Sequence, residues 1–91
     1  MTAPENARPV IRAGQVVLPT AALQEDWRMA MLDIQNAQAD SARDRALHYA
    51  DGWANALLSA RVIVEATYVA LIACNEDTYA NAKALPSHER P

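Results

Sequence analysis

Ala21-Ala22-Leu23-Gln24-Glu25-Asp26-Trp27-Arg28-Met29-Ala30-Met31-Leu32-Asp33-Ile34-Gln35-Asn36-Ala37 is the stretch that decides the fold class. Leu23, Trp27, Ala30, Met31, Ile34 and Ala37 recur every three or four positions, and Glu25, Asp26, Asp33 and Asn36 fall between them. A helix of 3.6 residues per turn gathers the first set on one face, so the spacing predicts an amphipathic helix. Thr20 stands where a hydroxyl can accept from the first free backbone N–H groups, and Pro19 closes the run before it.

Towards the amino terminus the period changes. Val10-Ile11-Arg12 and Gln15-Val16-Val17-Leu18 are β-branched runs on either side of Ala13-Gly14, and Gly14 can take the positive φ that a tight reversal needs. Residues 10–19 therefore read as a short β-like arm. An isolated hairpin is marginal in water, so the arm must dock on the helices, pair with a second copy or stay flexible. Residues 1–9, with Pro4, Pro9, Glu5, Asn6 and Arg8, have no apolar period and read as a flexible tail. Gly14-Gln15-Val16-Val17-Leu18-Pro19-Thr20-Ala21-Ala22-Leu23 is similar, over ten residues, to a strand–proline–helix segment of swapped-hairpin transcription regulators of the AbrB type. The positions after Pro19 lack that family's basic and acidic residues, and no later strands appear that would complete its swapped barrel. A strand ended by proline before a capped helix gives the same string for local reasons.

Towards the carboxyl terminus the helical period continues. Asp51-Gly52 is the only glycine break and marks the favoured end of the first helix, while Ser41-Ala42-Arg43-Asp44 matches a capping box and offers an earlier one. A second helix then runs to Cys74, with Trp53, Ala56, Ala60, Ile63, Thr67, Ala70 and Cys74 along one seam and Leu57, Val64, Tyr68 and Leu71 beside it. A helix apolar around so much of its surface is expected to have neighbours on two sides. Asn75-Glu76-Asp77 interrupts it, residues 78–85 form a short third helix that Pro86 ends, and residues 86–91 are a flexible tail. The helical domain is thus 20–85. The fold class is all-α: an antiparallel helical hairpin with a short third helix and an N-terminal β-like arm.

Composition bounds what the chain can be. Its 91 residues make one domain, which buries about 60–65% of its unfolded surface. Of the 52% hydrophobic residues 20 are Ala, leaving 27 larger ones and no Phe, so the core is small. Two glycines exclude folds that spend glycine on many turns. The formal charge of −3 implies neither a basic nucleic-acid surface nor an acidic mimic of one. Val62 to Cys74 is the most apolar stretch, 13 residues interrupted by Glu65, short of the ~20 that span a bilayer. Lone Cys74 and an amino terminus with no leader pattern make cytoplasmic the default location. Seven Arg against one Lys, with the Ala excess, suggests a bacterial or phage origin.

Little here carries chemistry. Asp40, Asp44, His48 and Asp51 line one helix face at spacings 4, 4 and 3, which could orient an imidazole or share a metal. A solvated face is the plainer reading, because no second His lies nearby in sequence to complete a site. Cys74 lies on the apolar seam and reads as a small buried hydrophobe. No phosphate-cradling loop, Cys pair or HExxH is present, so no enzyme, cofactor or metal site is expected. The expected function is a small non-catalytic protein-interaction module: a regulator, adaptor or inhibitor of another protein, a class that includes phage- or mobile-element-encoded proteins aimed at a host factor. The alternatives are a nucleic-acid-binding regulator using Arg8, Arg12 and the arm, and an assembly or structural subunit.

Aromatics, Met and Arg supply most contact energy at interfaces, which nominates Trp27, Arg28 and Met31 as the partner-facing patch. Twenty-seven large apolar residues are few for a lone helical pair, and small residues suit close helix approach. A homodimer forming a four-helix arrangement is therefore expected, through Ala56, Ala60, Arg61, Ile63, Val64 and Glu65, with Arg61 and Glu65 as an ion pair at its rim.

Overall fold

The computed structural model describes residues 16–84. The tails 1–9 and 86–91, the first run of the arm with Gly14, the arginines Arg8 and Arg12, and Leu85 lie outside the described residues. Those described form three helices and no strand: α1 (Ala21–Asn36), α2 (Asp40–Ser59) and α3 (Glu65–Ala84). The all-helical class stands, but the division of the chain differs from the expected long pair with a short third member.

α1 begins where the sequence places it. Thr20 is extended, and its Oγ1 accepts the Leu23 N–H at 3.1 Å, satisfying one of the first turn's free donors. Trp27, Ala30, Met31 and Ile34, at spacings 3, 1 and 3, form its buried stripe. It ends at Asn36, because Ala37 turns extended and no glycine or proline forces the change.

What holds the α1–α2 turn is Arg43. Its side chain has no exposed surface, and its Nη1 donates to Asp40 Oδ1 at 2.8 Å while Nη2 donates to the Ala37 carbonyl at 3.1 Å. The guanidinium thus fills the space under the turn and bonds a carbonyl that α1 leaves unpaired at its end. α2 starts at Asp40 with Ala39 as its cap, so the break falls beside the earlier position that Ser41 marked, although no side chain bonds that end and Ser41 is not itself the cap. Gly52 is not a break. It sits inside α2, without a positive φ, and a Cβ placed on it meets nothing within 4 Å. Glycine inside a helix costs about 0.5–1 kcal/mol relative to alanine. Gly52→Ala is therefore expected to raise stability by that amount, or ~2–8 °C in melting temperature for a domain of this size, measured by thermal unfolding. A helix-ending glycine would give a loss instead.

α2 and the expected seam part company at Ala60. The Arg61 N–H donates to the Leu58 carbonyl at 3.0 Å and the Val62 N–H to the Leu57 carbonyl at 2.9 Å, the paired bonds of a Schellman end. That motif needs a left-handed residue, usually glycine, and here it is Arg61 at φ 61°. The conformation costs an L-residue roughly 1–2 kcal/mol. A cation near the last carbonyls of α2 returns roughly 0.3–1 kcal/mol of it. The expected helix through residues 60–64 is accordingly two helices, and Val62-Ile63-Val64, three β-branched residues in a row, is the connection. α3 then runs unbroken through Asn75-Glu76-Asp77, with Glu65 in its first turn and Lys83 in its last, both favourable to its dipole.

Asn75 holds the three helices together. It is fully buried on α3; its Oδ1 accepts the Trp27 Nε1–H from α1 at 3.0 Å, and its Nδ2 donates to Asp51 Oδ1 of α2 at 3.0 Å. One side chain therefore satisfies a buried indole and reaches both other helices. Tyr79 of α3 adds a hydroxyl hydrogen bond to Asp44 of α2. The pairs 44 with 79 and 51 with 75 run in opposite chain directions, so α2 and α3 are antiparallel. Around this chain of bonds pack Trp27, Met31, Ile34, Ile63, Leu71 and Cys74, with Ala30, Ala50, Ala54 and Ala82 buried among them. Trp53 is half-buried against them.

Candidate interaction surface

The described end of the arm is extended but unpaired with any strand. Val16 and Leu18 are buried and Val17 between them is 82% exposed, the alternation of a half-buried strand. Its hydrogen-bonding partner is a side chain. Gln24 on α1 accepts the Leu18 N–H with Oε1 at 2.8 Å and donates from Nε2 to the Val16 carbonyl at 2.7 Å. The amide meets one edge of the segment as a neighbouring strand would. Of the three fates open to the arm, its described end docks on the helices.

Docking creates relief on both sides of the segment. Between it and α1 lies a groove of about 500 Å³ lined by Leu18, Pro19, Thr20, Gln24, Trp27 and Arg28. Arg28 stands at the rim, exposed and paired with Glu25, whose carboxyl it holds below its usual range while its own guanidinium is raised. On the other side, against the α2–α3 connection, lies a hollow of about 270 Å³ lined by Val17, Pro19, Val62, Ile63, Val64 and Thr67. A third, of about 580 Å³, is lined by Leu58, Ser59, Arg61, Ile63, Val64 and Glu65.

The residues nominated for a partner separate. Trp27 and Met31 retain 1% and 3% of their surface and belong to the core, whereas Arg28 is at the surface. The nominated dimer residues separate as well: Ile63 is buried, and Ala56, Ala60, Arg61, Val64 and Glu65 are exposed. Arg61, Ile63, Val64 and Glu65 meet around one hollow. Arg61 lies in the connection and Glu65 opens α3, so the two do not share a helix, and neither forms an ion pair among the described residues.

The aspartates of α2 have structural partners: Asp40 takes Arg43, Asp44 takes Tyr79 and Asp51 takes Asn75, while His48 is exposed. Among the described residues no group of three or more His, Cys, Asp or Glu could hold a metal ion. The hydrogen bond to Asp44 raises the Tyr79 phenol above its ordinary pKa, and burial adds to it. Cys74 is buried, and burial, followed by the charge of Asp77, pushes its thiol up, against the thiolate. It is therefore expected to react with an aromatic disulfide reagent at the rate of unfolding under native conditions, and at once in denaturant. No described helix is long and apolar enough to cross a membrane.

Gln24, Arg43 and Asn75 are the residues that sequence reasoning passed over. A signal existed for Asn75, which falls four residues after Leu71 and seven before Ala82, on the apolar line of α3. No family model matches the chain, and no curated protein or solved structure matches it either.

Proposed function

We propose that this chain is a small non-catalytic protein-interaction module, a regulator, adaptor or inhibitor that acts by occupying a surface of another protein and works as a homodimer. The observation that carries the reading is the groove of about 500 Å³ between the docked arm and α1. Its volume is within the ~300–1,000 Å³ range of small-molecule pockets, room enough for one side chain or short segment of a partner. Its walls are apolar at Leu18 and Pro19 and polar at Gln24, and Arg28 stands at its edge, a mixture suited to a protein side chain or short segment. Gln24 holds the arm through two hydrogen bonds, so the cleft exists before a partner arrives. Trp27 forms its floor and keeps its shape while contributing little contact area of its own.

The test is binding to a partner captured from the native cell by the parent chain. Arg28→Glu at the rim is expected to weaken that binding at least tenfold, and Arg45→Glu, a charge reversal on the exposed side of α2, to leave it within twofold. Equal losses from the two substitutions, or none from either, would contradict the reading.

A further inference from the structure

We infer that the α2–α3 connection is the homodimer surface, with Val64 of each copy seated in the hollow between Arg61 and Glu65 of the other. This rests on the homodimer half of the proposed function and assigns its residues. The connection presents Val62, Val64 and neighbouring Val17 at 41%, 68% and 82% exposure, and from Leu58 to Thr67 its only charges are Arg61 and Glu65. Ile63 and Val64 form the shared wall of two hollows, Ile63 buried and Val64 exposed, so that Val64 is a ridge beside a recess. A two-fold axis places each copy's ridge in the other's recess, because an isologous contact repeats every pairing twice.

Charge selects this occupant. Arg61 and Glu65 flank the ridge with opposite signs, both exposed and both without an ion pair among the described residues. The same operation that seats Val64 brings Arg61 of one copy to Glu65 of the other, twice. A face carrying one charge of each sign beside an apolar ridge complements itself. The backbone supplies the second argument. Arg61 occupies the left-handed position of the Schellman end, where glycine folds more easily, and strain retained at a surface position points to a task for the side chain. Pairing with Glu65 of a second copy is such a task.

The strain also provides a test that misfolding cannot confuse. Arg61→Gly relieves the left-handed residue, so its helical circular dichroism and melting temperature should equal or exceed those of the parent. Its dimer, read by light scattering between 1 and 100 µM, should dissociate at least tenfold more readily. Arg61→Glu and Glu65→Arg alone should each weaken the dimer tenfold or more, and the double exchange should return it to within threefold of the parent. A parent dimer untouched by all four variants would overturn this surface while leaving the homodimer reading in place. A parent that is monomeric at 100 µM would overturn both. In that case, slow amide exchange at Val17 and Val64 would assign the face to another segment of the same chain, and fast exchange would leave it to an unrelated partner. Assemblies that grow with concentration beyond two copies would overturn the two-fold arrangement.

Discussion

Trp27→Ala is expected to lower stability by about 3–5 kcal/mol, the range for removing a large aromatic from a packed core. The residue is 1% exposed, is the largest fully buried side chain and touches the groove floor as well as the helix junction. A chain of this length holds roughly 5–14 kcal/mol in total, at ~0.05–0.15 kcal/mol per residue. The loss would therefore consume a large share of it, and chemical denaturation should show a midpoint shifted far down or no cooperative transition. A residue reserved for an external partner would behave in the opposite way, with melting nearly unchanged.

The second large effect comes from the middle of the same network. Asn75→Leu keeps the number and branching of the side-chain heavy atoms but leaves the Trp27 indole N–H buried without an acceptor and Asp51 without its donor. A stranded buried donor costs about 1–3 kcal/mol, and the half-buried Asp51 recovers part of its loss from water. Trp27→Phe in the parent removes the donor and some volume together. Combining Trp27→Phe with Asn75→Leu removes both partners of the hydrogen bond, so the double variant should be more stable than the sum of the single losses by about 1 kcal/mol or more. Strict additivity in denaturant unfolding would show that the bond carries no coupling.

How far the sequence can be read depends on whether a feature is local. α1 was legible because its signals lie within a turn of one another: Thr20 capping Leu23, then Trp27, Ala30, Met31 and Ile34 at helical spacing. The run Val16-Val17-Leu18 was read as part of a β-like arm, and which of its residues face inward shows only in the fold. The end of α1 was legible only as the alternative near Ser41, and the end of α2 was not legible. Both connections lack glycine and proline: one is held by Arg43 reaching back to Ala37, the other by a left-handed arginine. The only described glycine sits in mid-helix, where α2's neighbours tolerate it. Each choice is settled by tertiary packing over local propensity.

The interaction residues divide along the same line. Chemistry nominated Trp27, Arg28 and Met31 together, but Trp27 and Met31 lie one turn apart on the buried face of α1, and Arg28 between them faces out. Trp27 could not be assigned to the core until Asn75, 48 positions away, was seen to accept its N–H. Gln24 is a surface amide by every local criterion, yet it positions the arm and thereby forms the cleft. Arg61 and Glu65 were expected to pair, within one helix or at an interface rim, and neither forms an ion pair among the described residues. The Schellman end separates them and leaves both facing outward.

The reading of the groove and of its rim follows from Trp27 being spent on folding, and hydrogen exchange at its indole tests that claim most directly. The proton is buried and bound to Asn75 at the junction of all three helices, so it should exchange only through global unfolding, with the same free energy as the slowest backbone amides of α1 and α3. An indole proton that exchanges within seconds under native conditions, while those amides stay protected, would contradict the account and return Trp27 to the surface.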